Sequence, residues 1–542
     1  MTATFYFGGP IVTMDPKRPD AEALVVRDGR IDGVGSEREM RTLAGTSAQS
    51  IDLKGVALLP GFVEAHGHPM LSAQTVGDPV VDVRAVHTPT YAAVLEKIRR
   101  RVAKAKPGDV VWFTGLDQQL HEGSHEPTRD ELDGISATVG IAVQTTNLHA
   151  IYLNGAAIKA FDISEQHDEL AAAHIQRDAQ GRMWRFTETA TGPLMEGFAR
   201  RCGEQRNTIA LADWLNKFAA AGYTTVTEPG MSPLMVSFYR VLMESSRLKL
   251  RVFAYQYVAR GGKTLLPVDQ GDDRFGVIGT KMWGDGSVLL GNVAVTRPYL
   301  NNEMTLVRMG LEENSTGKTN YSREDLHWLI KAYAAQGHQI AVHAQGDKTI
   351  DIVLDGFEAA LAESPHAQRP FRLEHCGLMR DDQLERAKKL GVVCSFFLPM
   401  FHFWGDPMAK HLLGQERGSR FVPIGSAARL GMRSSYHCDA PMTWPDAGLM
   451  LYVATTRKTA TGVVLGGDQT VDIETALRSI TIDAAHHIRK EDRLGSLEPG
   501  KYADFVLLDR DPRRVPFDDL RALKVLGTIL DGEPTKTGQT PF

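Results

Sequence analysis

Between about Ile209 and Ser479 the chain alternates strand-length apolar runs with amphipathic segments, the texture of parallel βα units whose strands are covered on both faces. One unit shows the alternation clearly. Ser322 with Asp325 has the spacing of a helix-capping pair, Leu326 to Ala335 carries a helical period, Gly337 suits the position after a helix end, and Gln339 to Ala344 resumes as a strand. Comparable units place strands at Tyr223 to Glu228, Leu250 to Tyr257, Ile278 to Gly284, Phe371 to Cys376, Val392 to Phe397 and Met432 to Asp439. Together with Phe62 to His68 they make eight strands, the number that closes a TIM-type (β/α)8 barrel, so an α/β fold of that class is predicted.

The two ends of the chain read differently. From Phe5 to Val63, short apolar runs at Ile11 to Thr13, Ala23 to Val26 and Val56 to Leu59 are broken by turn residues such as Asp28-Gly29. Leu494 to Val525 has the same texture, with Ala503 to Leu508 as its clearest strand. Ends this alike are predicted to pair in one small β-sandwich domain formed by residues 1–59 and 480–542, leaving 60–69 and 207–479 for the barrel. Residues 70–206 then form a long insertion after the first barrel strand, with a helix from Tyr91 to Lys104 and a short strand from Val110 to Thr114. Barrel active sites are built from loops at the strand C-termini, so the insertion is predicted to lie over the barrel mouth as a lid.

Composition narrows the function classes. The net charge of −5 supplies no basic footprint for neutralising phosphates, which argues against a nucleic-acid partner. Four cysteines (Cys202, Cys376, Cys394 and Cys438) form no CxxC pair, so neither a disulfide framework nor a thiolate zinc site is expected, and a reducing compartment fits. No apolar run approaches the ~18 residues of a spanning helix, and the N-terminus lacks a leader pattern; a cytoplasmic protein without membrane contact is the expectation.

Residues able to ligate a metal gather at the predicted strand ends. On a strand, alternate side chains share a face, so His66 and His68 are predicted to point together into the barrel, where two imidazoles can share an ion. His343, His375 and Asp439 each end another predicted strand and would converge on the same mouth. Lys281 falls inside the apolar run Val277 to Trp283, where an ammonium is costly unless neutralised, paired or chemically modified. Each has a plain alternative, a buried structural histidine or a lysine reaching to the strand end; the coincidence at several strand ends favours a site. Phe397, Phe401 and Trp404 follow the seventh predicted strand and could line an apolar substrate pocket or pack as aromatic core. Asp285 and Asp347 read as loop-capping carboxylates, and Glu228 ends the second predicted strand within reach of the site.

The order of short motifs is more specific than any one of them: Pro60-Gly61-Phe62 through His68, Pro127-Thr128-Arg129 with Leu132-Asp133, Lys281 through Ser287, and His343-Ala344-Gln345-Gly346-Asp347. Glu374-His375, Asp439-Ala440-Pro441, and Leu494 to Leu497 followed by Gly500 to Asp504 continue it. Over nearly its whole length the chain thus resembles the amidohydrolase superfamily, in particular the family 3 branch that includes N-substituted formamide deformylases and N-acyl amide hydrolases. The resemblance implies one or two divalent metal ions, zinc being expected. His66 and His68 would hold the more buried ion, a carboxylated Lys281 would bridge, His343 and His375 would hold the second, and Asp439 would serve as ligand and general base. It also implies that His149, in Asn147-Leu148-His149-Ala150, lies near the substrate, the alternative being a structural histidine. Metal ions would lower the pKa of a water and polarise the scissile carbonyl, while Asp439 accepts the proton and returns it to the leaving amine. The expected reaction is hydrolysis of a small-molecule N-acyl or N-formyl amine; cyclic amide, ester or carbamate cleavage and a non-catalytic assembly role are the alternatives, and a homodimer is left open. One departure stands out, since Glu64 occupies the place where the superfamily usually has Asp before the HxH pair, so it is left out of the ligand set.

Overall fold

The computed structural model describes residues 3–163, 174–245, 248–258 and 260–535. Eight parallel strands form a nearly closed barrel: β1 (Phe62–Glu64), β2 (Tyr223–Met231), β3 (Arg251–Tyr257), β4 (Phe275–Trp283), β5 (Gln339–Ala344), β6 (Arg372–His375), β7 (Val393–Phe397) and β8 (Ser435–His437). They are hydrogen bonded in chain order from β1 to β8. The barrel strands are almost wholly buried, as strands covered on both faces must be. The legible unit folds as expected: Ser322 Oγ accepts from the Asp325 N–H, the helix runs Arg323–Ala335, and Gly337 has a φ of 83°. Among the described residues no helix is long and apolar enough to cross a membrane.

Glu64 finds its role at the seam between β8 and β1. Its Oε1 accepts from the His66 N–H and its Oε2 from the Cys438 N–H, both at 3.2 Å, so one buried side chain links the backbones that follow the first and last strands. Burial pushes the Glu64 carboxyl up to about 8 against the opposing effect of these hydrogen bonds. Glu64→Ala would leave two buried N–H groups unpaired, and a loss of roughly 2–4 kcal/mol is expected, read as a lower denaturant midpoint. An unchanged midpoint would remove Glu64 from this structural role.

The chain ends meet in a single eight-stranded mixed sheet, where Ala57–Pro60 pairs in parallel with Thr4–Val12 and antiparallel with Phe505–Leu508. The ladder joins all these strands in one sheet; the second sheet of the expected sandwich is not part of it. Arg251, at the start of β3, fixes this sheet to the barrel. Its buried guanidinium donates from Nε to Asp504 Oδ2 at 2.7 Å and from Nη2 to Asp504 Oδ1 at 3.0 Å, reaches Asp531, and lies 3.7 Å over the Tyr502 ring. A bidentate, charge-assisted pair of this kind is among the stronger links a protein can make.

Within 70–206 a six-stranded sheet, which includes Val110–Leu116, Gly140–Thr145 and Ala150–Leu153, packs against the helix Tyr91–Val102 through its own apolar cluster around Val94, Ile98, Phe113 and Ile141. It touches the barrel at loops beyond strand C-termini. Gln119 Nε2 donates to Leu289 O at 3.1 Å after β4, and Trp404 Nε1 donates to Asp117 Oδ2 at 2.8 Å after β7. The insertion therefore rests on the end of the barrel where the strands have their C-termini.

Candidate metal centre

The residues singled out from the sequence do converge, although not all by the expected route. β1 ends at Glu64, so His66 and His68 lie just beyond the strand rather than alternating along it, and His68 adopts a left-handed conformation (φ 49°) at the start of the helix Pro69–Thr75. A turn, not a shared strand face, brings the two rings together. Asp439 likewise stands two residues past the end of β8, with φ 50°, and His375 closes β6 with φ 72°. Left-handed backbone at a non-glycine residue costs about 1–3 kcal/mol, and three such residues here surround one point, as is common at functional sites.

That point has the dimensions of a metal site. His66 Nε2 lies 3.1 Å from His68 Nε2 and 3.4 Å from Asp439 Oδ1, and His68 Nε2 lies 3.5 Å from the same oxygen. Ligand atoms ~2.0–2.1 Å from a tetrahedral ion stand roughly 3.3 Å apart, so the triangle has the edges such an ion demands. The other nitrogen of His66 is held behind the site: Nδ1 donates to Glu374 Oε2 at 2.6 Å, which leaves the Nε2 lone pair facing the triangle. Glu374 is in turn gripped by Arg372, whose Nε donates to Oε1 at 2.7 Å. Burial alone would raise the Glu374 pKa, but Arg372, with Lys281 and His437, holds it below the usual carboxylate value. Glu228 stands behind His68, with Oε1 3.6 Å from Nδ1, and is anchored by the Met70 N–H and the Tyr239 hydroxyl.

Lys281, His343 and His375 form the adjoining half. The β4–β5 register sets Lys281 opposite Ala341 and Trp283 opposite His343, and the β5–β6 register sets Ala344 opposite His375, so the three residues lie on neighbouring strands. The His343 and His375 ring centroids are 4.3 Å apart. His343 Nδ1 donates to Asp285 Oδ1 at 2.9 Å, while Asp285 also accepts from the Gln345 and Gly346 N–H groups; it caps a loop and orients the His343 ring at once. His343 Nε2 and Lys281 Nζ are both buried without a hydrogen-bond partner. Burial lowers the Lys281 pKa to about 8, against the opposing pull of Glu374 and Asp439. A buried amine and an imidazole nitrogen left unsatisfied beside a ready-made ligand triangle fit a group that would satisfy both.

His149 comes from the insertion. Its Nδ1 donates to Glu188 Oε2 at 2.8 Å, its ring centroid is 5.4 Å from that of His343, and Glu188 is fixed from the other side by Asn292 Nδ2 at 2.6 Å. Burial would lower the His149 pKa, but Glu188, with Asp439 and Asp285, raises it. Of the aromatic candidates, Phe397 lies against the site, its ring stacked on His437 at 5.5 Å. Phe401 packs under the buried Arg457 guanidinium at 3.5 Å, which is a core contact, and Trp404 spends its N–H on Asp117. Asp347 Oδ1 accepts from the Thr296 N–H, a loop contact.

The sequence assigns no role to Glu374, which stands there only beside His375 in a motif, nor to Glu188 or, above all, His437, which groups with His66 and His375 as a second set of potential ligands. A signal existed for two of them. Arg372 and Glu374 are charged residues at alternate positions of an interior strand, and His437 precedes Asp439 by two. Glu188 lies far from every barrel strand in sequence and carried none.

The fold and this cluster define an eight-stranded parallel barrel whose mouth gathers side chains able to hold a metal ion. The amidohydrolase family pattern matches residues 49–535, and the chain belongs to that family. It is 29% identical to an N-substituted formamide deformylase of Arthrobacter pascens, over 96% of this chain and 96% of that one. It is 24% identical to the putative amidohydrolase YtcJ of Bacillus subtilis, over 97% and 98% of the two chains. Among solved structures, an uncharacterized metal-dependent hydrolase from Pyrococcus horikoshii superimposes with a TM-score of 0.73 at 24% identity, covering 95% of this chain and 99% of the other, a likeness of fold.

Proposed function

We propose that the protein is a metal-dependent hydrolase that cleaves the C–N bond of an N-acyl or N-formyl amine. The observation that carries this reading is the triangle of His66 Nε2, His68 Nε2 and Asp439 Oδ1, with edges of 3.1 to 3.5 Å, beside the unpartnered Lys281 Nζ and His343 Nε2. The donor set suits one or two divalent ions, zinc first, held by His66, His68 and Asp439 on one side and by Lys281, His343 and His375 on the other. Bound there, such ions supply a Lewis acid for the scissile carbonyl and a water of lowered pKa.

The chain's own residues do the rest. Lys281, its pKa lowered by burial, has access to the neutral amine that adds to carbon dioxide; a nitrogen–carbon bond forms, a proton leaves, and an isolated cation becomes an anion with two oxygens to offer. Asp439 takes the proton of the attacking water and delivers it to the leaving nitrogen. His149, held by Glu188, faces the site from the insertion and is placed to hydrogen bond the substrate, with Phe397 as an apolar wall. The choice of a linear amide with a substituted nitrogen is supported by the similarity to the N-substituted formamide deformylase.

Elemental analysis should find one to two ions per chain, and fewer than ~0.2 after metal-supplemented expression would defeat the metal-dependent reading. The substrate test is a panel of N-formyl and N-acyl amines, cyclic amides and aryl esters offered to the metal-loaded protein. Release of free amine from the first group, lost on chelation and regained with zinc, is expected. Turnover confined to cyclic amides or esters would replace the substrate class while keeping the chemistry.

A further inference from the structure

On β3 every residue is buried except the last, Tyr257, and on β4 only the two end residues, Phe275 and Trp283, are half-buried. Phe275 is at the far end of its strand, stacked on Tyr239 at 5.2 Å. These two strands therefore open toward the barrel mouth at Tyr257 and Trp283. The two rings stack on each other, with centroids 5.1 Å apart and planes 26° from parallel.

The strand register aims both rings inward. Tyr257 lies opposite Lys281, and Trp283 follows Lys281 by two residues, so all three share one face of the sheet. That face is the barrel interior, because Tyr255, two residues before Tyr257, accepts there from Arg372 Nη1 at 2.8 Å. Both rings then lie against Gly230 of β2, where a Cβ would stand 2.7 Å from Trp283 Cη2 and 3.4 Å from Tyr257 Cζ. Gly230 also holds a φ of 117°, a conformation that glycine alone adopts without strain. The ends of three neighbouring strands thus make one continuous aromatic wall.

The wall borders the place where the amide would react. Lys281 Nζ is 5.5 Å from the Trp283 ring centroid, so a group joined to the scissile amide by a few bonds falls within reach of the rings. In a barrel of eight strands bonded in chain order, β3 and β7 are on opposite sides, which puts the pair across the candidate ligands from Phe397. Burial, with the charges of Glu228 and Glu196, holds the Tyr257 phenol above its ordinary value, so it stays neutral. A neutral planar surface with carboxylates near it suits an uncharged ring and disfavours an anion. We propose that Tyr257 and Trp283 form a subsite for an uncharged aromatic substituent of the substrate, with Gly230 keeping the space in which the two rings lie against β2. The placing of that substituent on a scissile amide rests on the hydrolase reading above.

The test uses two ligands that differ only in the ring, N-phenethylformamide and its cyclohexyl counterpart. Dissociation constants are measured by ligand-detected NMR titration on wild-type, Trp283→Leu and Tyr257→Leu proteins freed of metal by chelation, so that turnover plays no part. The wild type is expected to bind the phenyl ligand roughly 2–10-fold more tightly than the cyclohexyl one, and Trp283→Leu to lose that preference. Equal binding of the two by the wild type, binding of neither, or a preference unchanged in folded Trp283→Leu overturns the proposal. Should Trp283→Leu fail to fold, an unchanged preference in Tyr257→Leu overturns it instead. The metal-loaded wild type separates this inference from the reading it rests on. Turnover of neither formamide, with the phenyl preference intact, would remove the amide-hydrolase reading and keep the aromatic subsite, whereas hydrolysis of both with equal binding would keep the hydrolase and remove the subsite.

Discussion

Asp439→Asn is expected to keep the fold and most of the metal while lowering kcat by ~10²-fold or more. The substitution hardly changes volume, and the amide retains an oxygen that can face His66 Nε2 and His68 Nε2, the two nitrogens 3.4 and 3.5 Å from Oδ1. What it loses is the capacity to take up a proton. Burial already raises the Asp439 pKa, opposed by His68 and Lys281, so the carboxylate is a stronger base here than at the surface. The measurement is kcat on protein shown to be folded, metal-loaded and free of reversion to Asp. Near wild-type turnover would take the proton-accepting role from Asp439, and His149 would be the next residue to examine.

Lys281→Ala is expected to abolish loading of the second ion, so that metal content falls to one ion per chain or below. Among the described residues Nζ has no hydrogen-bond partner, and the neighbouring His343 Nε2 is equally unpartnered, so the lysine can be removed without breaking a hydrogen bond. Lys281→Met separates function from folding. It restores an apolar group of similar length to a fully buried site, and the metal-free variant should be more stable than the metal-free wild type by roughly 1–3 kcal/mol, although its metal binding is impaired. A Met variant that binds two ions as tightly as wild type would remove Lys281 from the ligand set. A variant less stable than the metal-free wild type would show that the buried amine is satisfied in a way the structure does not reveal.

Much of this site was legible in the sequence because barrel chemistry sits at strand ends, and strand ends are marked by where apolar runs stop. His343 and Lys281 fell on strands as expected, and their register did the rest. His66, His68 and Asp439 come together by a route other than the expected one. Period-two alternation from β1 does not reach His66 and His68, and the last strand stops two residues before Asp439; left-handed backbone at His68 and Asp439 aims the side chains instead. Backbone conformation at a histidine or aspartate leaves little local trace, since neither residue requires it as glycine does. Phe401 illustrates the limit from the other side: an aromatic run after a strand reads the same whether it lines a pocket or covers a buried arginine, and here Arg457 lies over the ring. Glu64 was noticed as an anomaly, but its function depends on Cys438, a partner far along the chain that no local pattern could supply.

The pairing of Ala57–Pro60 with Phe505–Leu508 bears on how the chain can be made. The strand that leads directly into β1 is flanked by a strand that leaves the ribosome long after it, and the Gly61 N–H is bonded to the Asp504 carbonyl at 2.9 Å. Until that strand emerges the segment carrying His66 and His68 lacks this neighbour, with an open apolar edge and no final position for its histidines. Such contacts between distant parts of a sequence carry a high loop-closure cost and form late. The barrel mouth is therefore completed by a segment made long after the one that carries His66 and His68, and a nascent chain that captured an ion early would have to do so with an incomplete set of candidate ligands.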